Sequence, residues 1–333
     1  MRIQSSPGGA GNTRCIRQLS TDGRWAVSEP LTSRAGETAT PDLYPTRGEE
    51  TRLLPRLDPV CWSAADTPPP VEARLIGDFD RDGFCILDSV FSLREVEALL
   101  AEVQRLQTDA ATLNADTLIT EPGSGQLRSV FSLHTQSPVF AALAADARLL
   151  PLAKYLLGGA VYLHQSRLNV KVGFDGESFQ WHSDFETWHA EDGLPRMRTV
   201  SMTVLLHDNN SLNGPLMLMP GSHRCFLACA GATPDAHYLH SLRRQEYGIP
   251  TDAQLTALAA RYGIRVATGS AGSVVVFDCN VLHGSFNNMT PWPRGNAYFV
   301  YNALDNRPVM PFAAQGIRPE FVAAREHIVP LEP

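Results

Sequence analysis

The sequence predicts a mainly β protein in which several short strands form a sandwich or a barrel. Strand-like runs rich in β-branched residues follow one another from residue 160 to residue 304, and turns containing Gly and Pro separate them. No alternating β–α–β rhythm or internal repeat is present, which argues against a parallel α/β fold. The chain has 333 residues, of which 44% are hydrophobic, so it is long enough to bury a substantial core.

The first 41 residues differ in composition from the remainder of the chain. They are rich in Gly, Ser, Thr and Arg, and their few apolar residues follow no helical or strand period. They contain no apolar segment typical of a secretory signal, and Asp22, Glu29 and Glu37 argue against a transit peptide. We therefore predict a disordered N-terminal extension over residues 1–41 and one folded domain over residues 42–333.

The folded domain is predicted to begin with turns, a strand and helices. Residues 55–70 are rich in proline and resemble turns, and residues 80–106 predict a strand followed by an amphipathic helix. Ser92 and Glu95 have the spacing of a capping box at the start of that helix. A second helical pattern over residues 146–157 ends at Gly158.

A long strand is predicted over residues 160–173, and its polar side chains share one face. Residues two apart on a strand point to the same side, which groups Gln165, Arg167, Asn169 and Lys171. Such a row either faces solvent or lines a polar pocket, and on the residues alone solvent is favoured. His164 is expected on the opposite face.

Further strands are predicted over residues 199–208, 214–223, 272–285 and 296–304. Residues 234–264 lie between them, look partly helical and are interpreted as an insertion.

Charge and composition exclude two classes of partner. The formal net charge is −7 and no long basic run occurs, so a nucleic-acid partner is not expected. No stretch of about 18 apolar residues is present, so no membrane span is expected. The six cysteines lack zinc-finger spacing and are expected to be reduced thiols of a cytoplasmic protein.

The segment WHSDFETWH, residues 181–189, contains a candidate metal motif. His182 and Asp184 are two apart and would point to the same side of a strand. His283 follows a strongly β run and supplies a third ligand. Two imidazoles and one carboxylate on one face of an octahedron are typical of non-haem Fe(II) oxygenases, with open positions for a ketoacid and dioxygen.

Arg294 lies eleven residues after His283, at the start of the next predicted strand. A guanidinium matches a carboxylate in a bidentate manner, so Arg294 is the candidate partner for the far carboxylate of a ketoacid. His164, His189, His207 and His223 remain alternative metal ligands, although each is also compatible with a structural role.

Two longer segments resemble a known family. Residues 179–198 (FQWHSDFETWHAEDGLPRMR) and 213–224 (NGPLMLMPGSHR) closely resemble the ectoine hydroxylases, which belong to the phytanoyl-CoA dioxygenase-like superfamily. The resemblance begins at DLYPTR, residues 42–47, and continues to PEFVAAR, residues 319–325.

The resemblance implies a double-stranded β-helix, or jelly roll, flanked by helices. It implies a homodimer that uses Fe(II), 2-oxoglutarate and O2 to hydroxylate ectoine to 5-hydroxyectoine, a compatible solute of osmotic and heat stress, with release of succinate and CO2. Iron would be held by His182, Asp184 and His283. The co-substrate pocket would consist of Arg294, Phe131, Asn169, Phe179 and Ser285. The ectoine site would consist of Gln165, Arg167, Trp188, Phe277 and Asn296, which places the polar face of the long strand inside the barrel.

Tyr298 departs from this pattern, because a phenylalanine is expected beside the substrate at that position. Its hydroxyl needs a hydrogen-bond partner, or its burial costs about 1–3 kcal/mol. Two alternatives remain open: a hydroxylase acting on another small solute, such as a free amino acid, and a jelly-roll protein that binds a small molecule or metal without turnover.

Overall fold

The computed structural model describes residues 40–121, 125–174, 176–234, 236–241 and 247–333, together with two short strands nearer the N-terminus. These strands, β1 (Gln18–Leu19) and β2 (Trp25–Ala26), pair antiparallel. The rest of the extension predicted as disordered, apart from residues 40 and 41, lies outside the described residues. Within the described ranges no helix combines the length and the apolar character needed to cross a membrane.

The strands and helices alternate irregularly along the chain. The further strands are β3 (Arg52–Pro55), β4 (Phe84–Leu87), β5 (Leu118–Thr120), β6 (Leu127–Phe131), β7 (Val161–Lys171), β8 (Phe179–His182), β9 (Thr199–Leu205), β10 (Leu216–Leu218), β11 (Cys225–Ala228), β12 (Arg265–Ala267), β13 (Val274–Asp278), β14 (His283–Ser285) and β15 (Arg294–Ala303). The α-helices are α1 (Ala73–Asp82), α2 (Leu93–Thr108), α3 (Leu133–Gln136), α4 (Pro138–Ala144), α5 (Leu150–Leu157), α6 (Asp184–Thr187), α7 (Tyr238–Ser241) and α8 (Asp252–Tyr262). A π-helical turn, Trp188–Asp192, continues α6.

Two antiparallel sheets form the core. The larger sheet has the strand order β4-β13-β9-β15-β7-β6-β5, and the smaller has the order β12-β10-β14-β8. Side chains of β7 and β15 in the larger sheet and of β8, β10 and β14 in the smaller sheet line one pocket between them. This arrangement confirms the predicted double-stranded β-helix.

The outer face of the larger sheet packs against helices. Leu168 of β7 and Phe299 of β15 share one buried cluster with Leu99 of α2 and Leu156 of α5. The predicted capping box is confirmed, because Ser92 N donates to Glu95 Oε2 (2.8 Å) and Glu95 N donates to Ser92 Oγ (3.3 Å). Helix α5 begins at Leu150, four residues later than predicted, and ends at Gly158 with a left-handed φ of 68°.

Strand β7 contains a bulge that changes the direction of its side chains. The pairing with β15 shifts between Val300 and Tyr301, so that Gln165 and Leu163 have partners on β15 and His164 has none. Leu163 and Leu168 therefore both face the helix-side cluster although their numbers differ in parity. His164 lies against Trp188 and Asp192, so the prediction from simple alternation is wrong for His164.

The polar face of β7 lies inside the barrel. Arg167, Asn169 and Lys171 line the pocket, and Gln165 is buried with 9% of its surface exposed. The interpretation of this face as solvent-exposed is therefore wrong. The alternation of polar and apolar residues shows only that the two faces of β7 differ. That the smaller sheet covers the polar face is a feature of the tertiary structure.

Several element boundaries differ from the prediction. The predicted strand over residues 272–285 is two strands, because the chain turns between β13 and β14. Asp278 stabilises this turn by accepting from Asn280 N (2.8 Å), and Asn280 Nδ2 donates to the carbonyls of His223 (2.9 Å) and Cys225 (3.0 Å). The break places His283 in the smaller sheet and the preceding strand in the larger one.

The cysteines fit the prediction only in part. Cys61, Cys85, Cys229 and Cys279 are free thiols. Cys225 is disulfide-bonded, so the expectation of reduced thiols is wrong at that residue.

Candidate active site

The three predicted metal ligands lie close together, and two of them, His182 and His283, line the pocket. One donor atom from each of His182, Asp184 and His283 lies within 4.8 Å of the other two, and among the described residues this is the group of His, Cys, Asp and Glu side chains suited to a metal. Asp184 Oδ1 lies 3.4 Å from His182 Nε2 and 3.8 Å from His283 Nε2. Such a set of two imidazoles and one carboxylate is the donor set expected for Fe(II).

Both imidazoles are oriented by backbone carbonyls. His182 Nδ1 lies 2.7 Å from the carbonyl oxygen of Gln180, and His283 Nδ1 lies 3.0 Å from that of Val281. A carbonyl only accepts, so each Nδ1 carries the proton and each Nε2 presents its lone pair to the site. This second layer of hydrogen bonds fixes the tautomer required for metal binding.

The electrostatics of the triad favour the forms that bind a metal. Burial lowers the pKa of His283 to about 4, and the neighbouring His182 acts in the same direction, which keeps His283 neutral. Burial opposes ionisation of Asp184, but His283 and the hydrogen bond to His182 outweigh it and lower the pKa of Asp184 to about 2. The site therefore holds a carboxylate and at least one neutral imidazole at neutral pH.

Asp184 does not lie on a strand, although the motif was expected to place His182 and Asp184 on the same side of one strand. Strand β8 ends at His182, and Asp184 is the first residue of α6. Ser183 remains extended, with φ −107° and ψ 129°, and its Oγ accepts from Glu186 N (3.4 Å) at the start of the helix. The two ligands converge because the helix begins immediately after the extended residue.

Arg294 lines the same pocket as His182 and His283, with a guanidinium that is only partly paired. It is 1% exposed, and Nη2 donates to the carbonyl of Gly214 (2.6 Å). Its buried Nε has no hydrogen-bond partner, and no ion pair joins it to a carboxylate in the part of the chain that the structure describes. Burial lowers the pKa of Arg294. A buried cation without an acidic partner provides a site for a carboxylate.

Asn296 binds Arg294 directly. In the amide orientation that satisfies both of its partners, the Asn296 oxygen accepts from Arg294 Nη1 (2.6 Å) and its nitrogen donates to the carbonyl of Gly295 (2.7 Å). Asn296 pairs with Asn169 across the two strands, and Tyr298 pairs with Arg167. Arg167 and Asn296 are therefore diagonal neighbours inside the barrel, as the shared face predicted.

Lys171 is a buried amine in the lining of this pocket, and the sequence placed it on the polar face without a role. Its Nζ donates to the carbonyl of Glu177 (2.7 Å) and to that of Phe286. Burial lowers the pKa of Lys171 to about 6, and the neighbouring charges of Arg294 and Arg128 contribute to the shift. The signal available in the sequence for this residue was its place in the row of alternating polar side chains on one face of the strand.

The pocket brings together part of the predicted set. Its lining includes the predicted residues His182, His283, Arg294, Asn169, Phe179, Ser285, Arg167 and Tyr298. The predicted ligand Asp184 does not form part of the lining, and neither do five buried predicted residues, which are Phe131, Gln165, Trp188, Phe277 and Asn296. The lining therefore contains most of the residues expected for the co-substrate.

The residues behind the lining have defined contacts. The Phe277 ring lies 5.1 Å from that of His283, and the Phe131 ring packs at 6.5 Å against Phe321. Trp188 belongs to a buried cluster with Phe185 and Val300.

Tyr298 finds partners for its extra hydroxyl and for its ring. The Arg167 guanidinium lies over the ring, 4.8 Å from its centre, and the hydroxyl is close enough to Arg294 to raise the pKa of that guanidinium against the larger effect of burial. The Tyr298 hydroxyl is not among the buried side-chain atoms without a hydrogen-bond partner. The cost expected for an unpaired phenol is therefore avoided.

The alternative histidines have structural roles. His189 binds Asp42 (2.9 Å) and the carbonyl of Leu194 (2.8 Å), and its ring stacks on Phe312 at 4.1 Å. His207 Nδ1 accepts from Gly295 N (3.0 Å), and His223 Nε2 lies 3.1 Å from the carbonyl of Asp80.

Known proteins resemble this chain along most of its length. Residues 79–296 match the family model of phytanoyl-CoA dioxygenase (PhyH). The ectoine dioxygenase of Sphingopyxis alaskensis is 54% identical over 285 residues, which cover 85% of this chain and 93% of that protein. The ectoine dioxygenase of Stutzerimonas stutzeri is 51% identical over 292 residues, with coverage of 87% and 97%.

Solved structures agree with the sequence relatives. The crystal structure of EctD from S. alaskensis with bound Fe has a TM-score of 0.79 at 49% identity and covers 88% of this chain and 98% of that one. The crystal structure of the same protein with 2-oxoglutarate and 5-hydroxyectoine has a TM-score of 0.78 at 49% identity, with coverage of 88% and 96%. The chain described here belongs to the phytanoyl-CoA dioxygenase family and, within it, to the ectoine dioxygenases.

Proposed function

We propose that the protein is an Fe(II)- and 2-oxoglutarate-dependent dioxygenase that hydroxylates ectoine to 5-hydroxyectoine. In the balanced reaction, ectoine, 2-oxoglutarate and O2 give 5-hydroxyectoine, succinate and CO2. The observation that carries this proposal is the His182–Asp184–His283 triad, whose two histidines line one pocket together with the partly paired guanidinium of Arg294. The similar EctD structure contains 2-oxoglutarate and 5-hydroxyectoine.

The triad fits a resident Fe(II) ion. His182 and His283 present Nε2 atoms whose tautomers are fixed from behind, and Asp184 supplies the anionic oxygen. Bound there, Fe(II) supplies the redox chemistry with O2 and 2-oxoglutarate that no amino-acid side chain can supply. The protein contributes the orientation of the reactants and a pocket closed off from bulk water.

The co-substrate half of the pocket is proposed to bind the distal carboxylate of 2-oxoglutarate. Arg294 offers an unsatisfied Nε donor, and the nearby amine of Lys171, whose pKa is about 6, can take up a proton when a carboxylate binds. Ser285 and Asn169 provide neutral polar groups in the same lining. A dicarboxylate that enters here would pair with the guanidinium of Arg294 and would direct its keto end towards the triad.

The ectoine site is proposed on the side of Arg167 and Trp188. At neutral pH ectoine is a zwitterion with a delocalised amidinium ring and a carboxylate. Arg167 lines the pocket and has a geometry that suits the carboxylate, whereas Trp188 and Phe277 offer aromatic faces for the cationic ring. Gln165 and Asn296 complete the proposed set with polar groups.

Product analysis tests this proposal against a hydroxylase acting on another solute. Purified protein is incubated with Fe(II), 2-oxoglutarate and air, with ectoine in one reaction and free proline in a second. We expect 5-hydroxyectoine in the first reaction and unchanged proline in the second. Hydroxylated proline with unchanged ectoine would support the other solute. Binding of ectoine without any turnover would support a binding protein.

A homodimer, a cytoplasmic location and a role in osmotic or heat stress are also proposed. Light scattering of the purified protein tests the first, and fractionation of expressing cells tests the second. Growth at high salt of a strain lacking this gene, with and without added 5-hydroxyectoine, tests the third.

A further inference from the structure

We propose that the C-terminal segment Arg318–Arg325 positions the substrate-binding residues, with Arg318 as a positioning residue for Trp188. This inference rests on the proposed function and assigns a task to a segment outside the pocket lining. Two independent sets of contacts, one to β7 and one to the π-helical turn, connect the segment to residues proposed to bind ectoine.

The first set joins the segment to the bulge in β7. Ala324 N donates to the carbonyl of His164 (2.8 Å), and Gln165 Nε2 donates to the carbonyl of Val322 (2.7 Å). His164 has no partner on β15, so the bulge leaves its carbonyl free for this bond. Val322 is fully buried, so the segment forms part of the barrel wall.

The bond to Val322 determines which end of the Gln165 amide is available. A carbonyl accepts only, so it must face the amide nitrogen of Gln165. The amide oxygen is then left to accept a hydrogen bond. An acceptor at this position matches an N–H of an amidinium ring and disfavours a ring that offers only acceptors.

The second set is a chain of buried polar contacts from Arg318 to Trp188. Arg318 binds Asp192 in a fork, Nε to Oδ1 at 2.7 Å and Nη2 to Oδ2 at 2.5 Å. Asp192 Oδ2 lies 3.2 Å from His164 Nε2, and the His164 ring lies edge-on to Trp188 with 5.5 Å between centroids. The four side chains are buried, and Arg325 adds a bond to the carbonyl of Asp192 (2.5 Å).

This chain can fix Trp188 through the ring of His164. The Arg318 fork holds both carboxylate oxygens of Asp192, and the same carboxylate holds the imidazole of His164. Arg318 also lies 3.8 Å from Glu191, but Arg47 independently binds both Glu186 and Glu191. Within the described residues no hydrogen bond or ion pair joins Arg318 to Asp184 or His182, so a change in the fork to Asp192 should affect the ectoine side more than the iron side. A selective loss of ectoine affinity distinguishes positioning from general support of the fold.

Arg318→Lys is the variant of choice, because it retains the positive charge beside the buried Asp192 and removes the planar fork. The control is Glu332→Ala, which removes an exposed ion pair to Lys154 near the same end of the chain. Ectoine binding and 2-oxoglutarate binding are titrated separately on the iron-loaded protein under nitrogen, and bound iron and melting temperature are measured for each protein.

We expect Arg318→Lys to weaken ectoine binding about tenfold and to leave 2-oxoglutarate affinity and iron content within about twofold. Glu332→Ala should match the wild type in all four measurements. Equal losses for both ligands, or no loss for ectoine, would overturn the inference. Should Arg318→Lys not fold, His164→Gln provides the test by the same titrations and with the same expected and contrary results, since it removes the ring that contacts Trp188. A wild type that binds no ectoine would overturn the proposed function together with this inference.

Discussion

Arg47 and Glu186, which are 139 residues apart in the chain, form a buried two-pronged ion pair with distances of 2.7 Å (Nε to Oε1) and 2.9 Å (Nη2 to Oε2). Glu186 belongs to α6, the helix that begins with the metal ligand Asp184. Arg47 also binds Glu191 in the following π-helical turn (3.2 Å). The N-terminal end of the folded domain therefore holds the helix that carries one metal ligand.

Replacement of Arg47 by Ala should destabilise the fold by about 3–5 kcal/mol, because it leaves the buried Glu186 without its cation. Iron affinity should fall as well, since Asp184 precedes the loosened residue by two positions. Urea unfolding and iron content report these two effects. Arg74→Ala, which removes an exposed ion pair with Asp78, is the control and should change stability by less than about 1 kcal/mol. A stable Arg47→Ala protein with full iron content would contradict this role.

His283→Ala should abolish iron binding and turnover. The variant leaves two protein ligands for iron. It also removes the Nε2 donor of His283, whose tautomer the carbonyl of Val281 fixes, and alanine offers no donor in its place. Metal analysis of the protein after loading with Fe(II) measures the loss directly. His327→Ala, at an exposed histidine, should bind iron as the wild type does. Full iron occupancy in His283→Ala would remove His283 from the metal site.

Arg294→Ala should raise the half-saturating concentration of 2-oxoglutarate by at least about 30-fold, because the loss of a buried charge partner costs about 2–5 kcal/mol. Ectoine binding should change much less, although Asn296 and Tyr298 both contact Arg294. Separate titrations of the two ligands measure the difference. An unchanged requirement for 2-oxoglutarate would show that another cation, with Lys171 as the first candidate, binds the carboxylate.

His223 should make the fold less stable in acid. Burial lowers the pKa of His223 to about 4, against 6.5 for the unfolded reference. The unfolded chain therefore binds the proton first as the pH falls, and stability decreases between about pH 6.5 and pH 4 by roughly 3 kcal/mol from this group. Above pH 6.5 the contribution does not change.

The measurement is urea unfolding of the wild type and of His223→Gln from pH 4 to pH 7. The difference in stability between the two proteins should shift in favour of the variant as the pH falls through this window. A His223→Gln curve parallel to the wild type would show that His223 does not titrate as proposed.

Truncation should define the N-terminal boundary of the folded domain. Asp42 binds His189 (2.9 Å), Tyr44 binds Asp58 (3.0 Å), and Arg47 binds Glu186. A chain that starts at Asp42 should therefore retain the melting temperature and activity of the full chain in reducing buffer, whereas one that starts at Gly48 should lose both. A large loss on removal of residues 1–41 alone would show that the extension packs on the domain.

The sequence indicates the chemistry of the candidate metal ligands and the regular secondary-structure elements. Where a prediction fails, the structure shows a physical cause. The capping box at Ser92 and the stop at Gly158 are local signals: α2 begins where Ser92 predicts, and α5 ends where Gly158 predicts. The bulge at His164 has no local signal, because it is set by the pairing of β7 with β15 and by the C-terminal segment. The alternation of side chains between the two faces of the strand therefore reverses at the bulge, and no residue pattern in the sequence indicates where this happens.

The candidate site also contains residues that the sequence predicts and residues whose role depends on tertiary contacts. Donor chemistry made His182, Asp184 and His283 candidates, and the need to pair a carboxylate did the same for Arg294. The resemblance to the ectoine hydroxylases then favoured this triad over the other histidines. Lys171 was recognised only as part of a polar face, since nothing in the sequence shows that the smaller sheet covers it. The contact of Val322 with Gln165 joins residues 157 apart, and no spacing rule predicts it.

The most direct measurement of the central claim is the ratio of the two products in one reaction. Protein loaded with Fe(II) is incubated with limiting 2-oxoglutarate and excess ectoine in air, and nuclear magnetic resonance quantifies succinate and 5-hydroxyectoine in the same tube. We predict a ratio close to one, which disappears when iron is chelated. Succinate without 5-hydroxyectoine, or neither product from iron-loaded protein, would contradict the account.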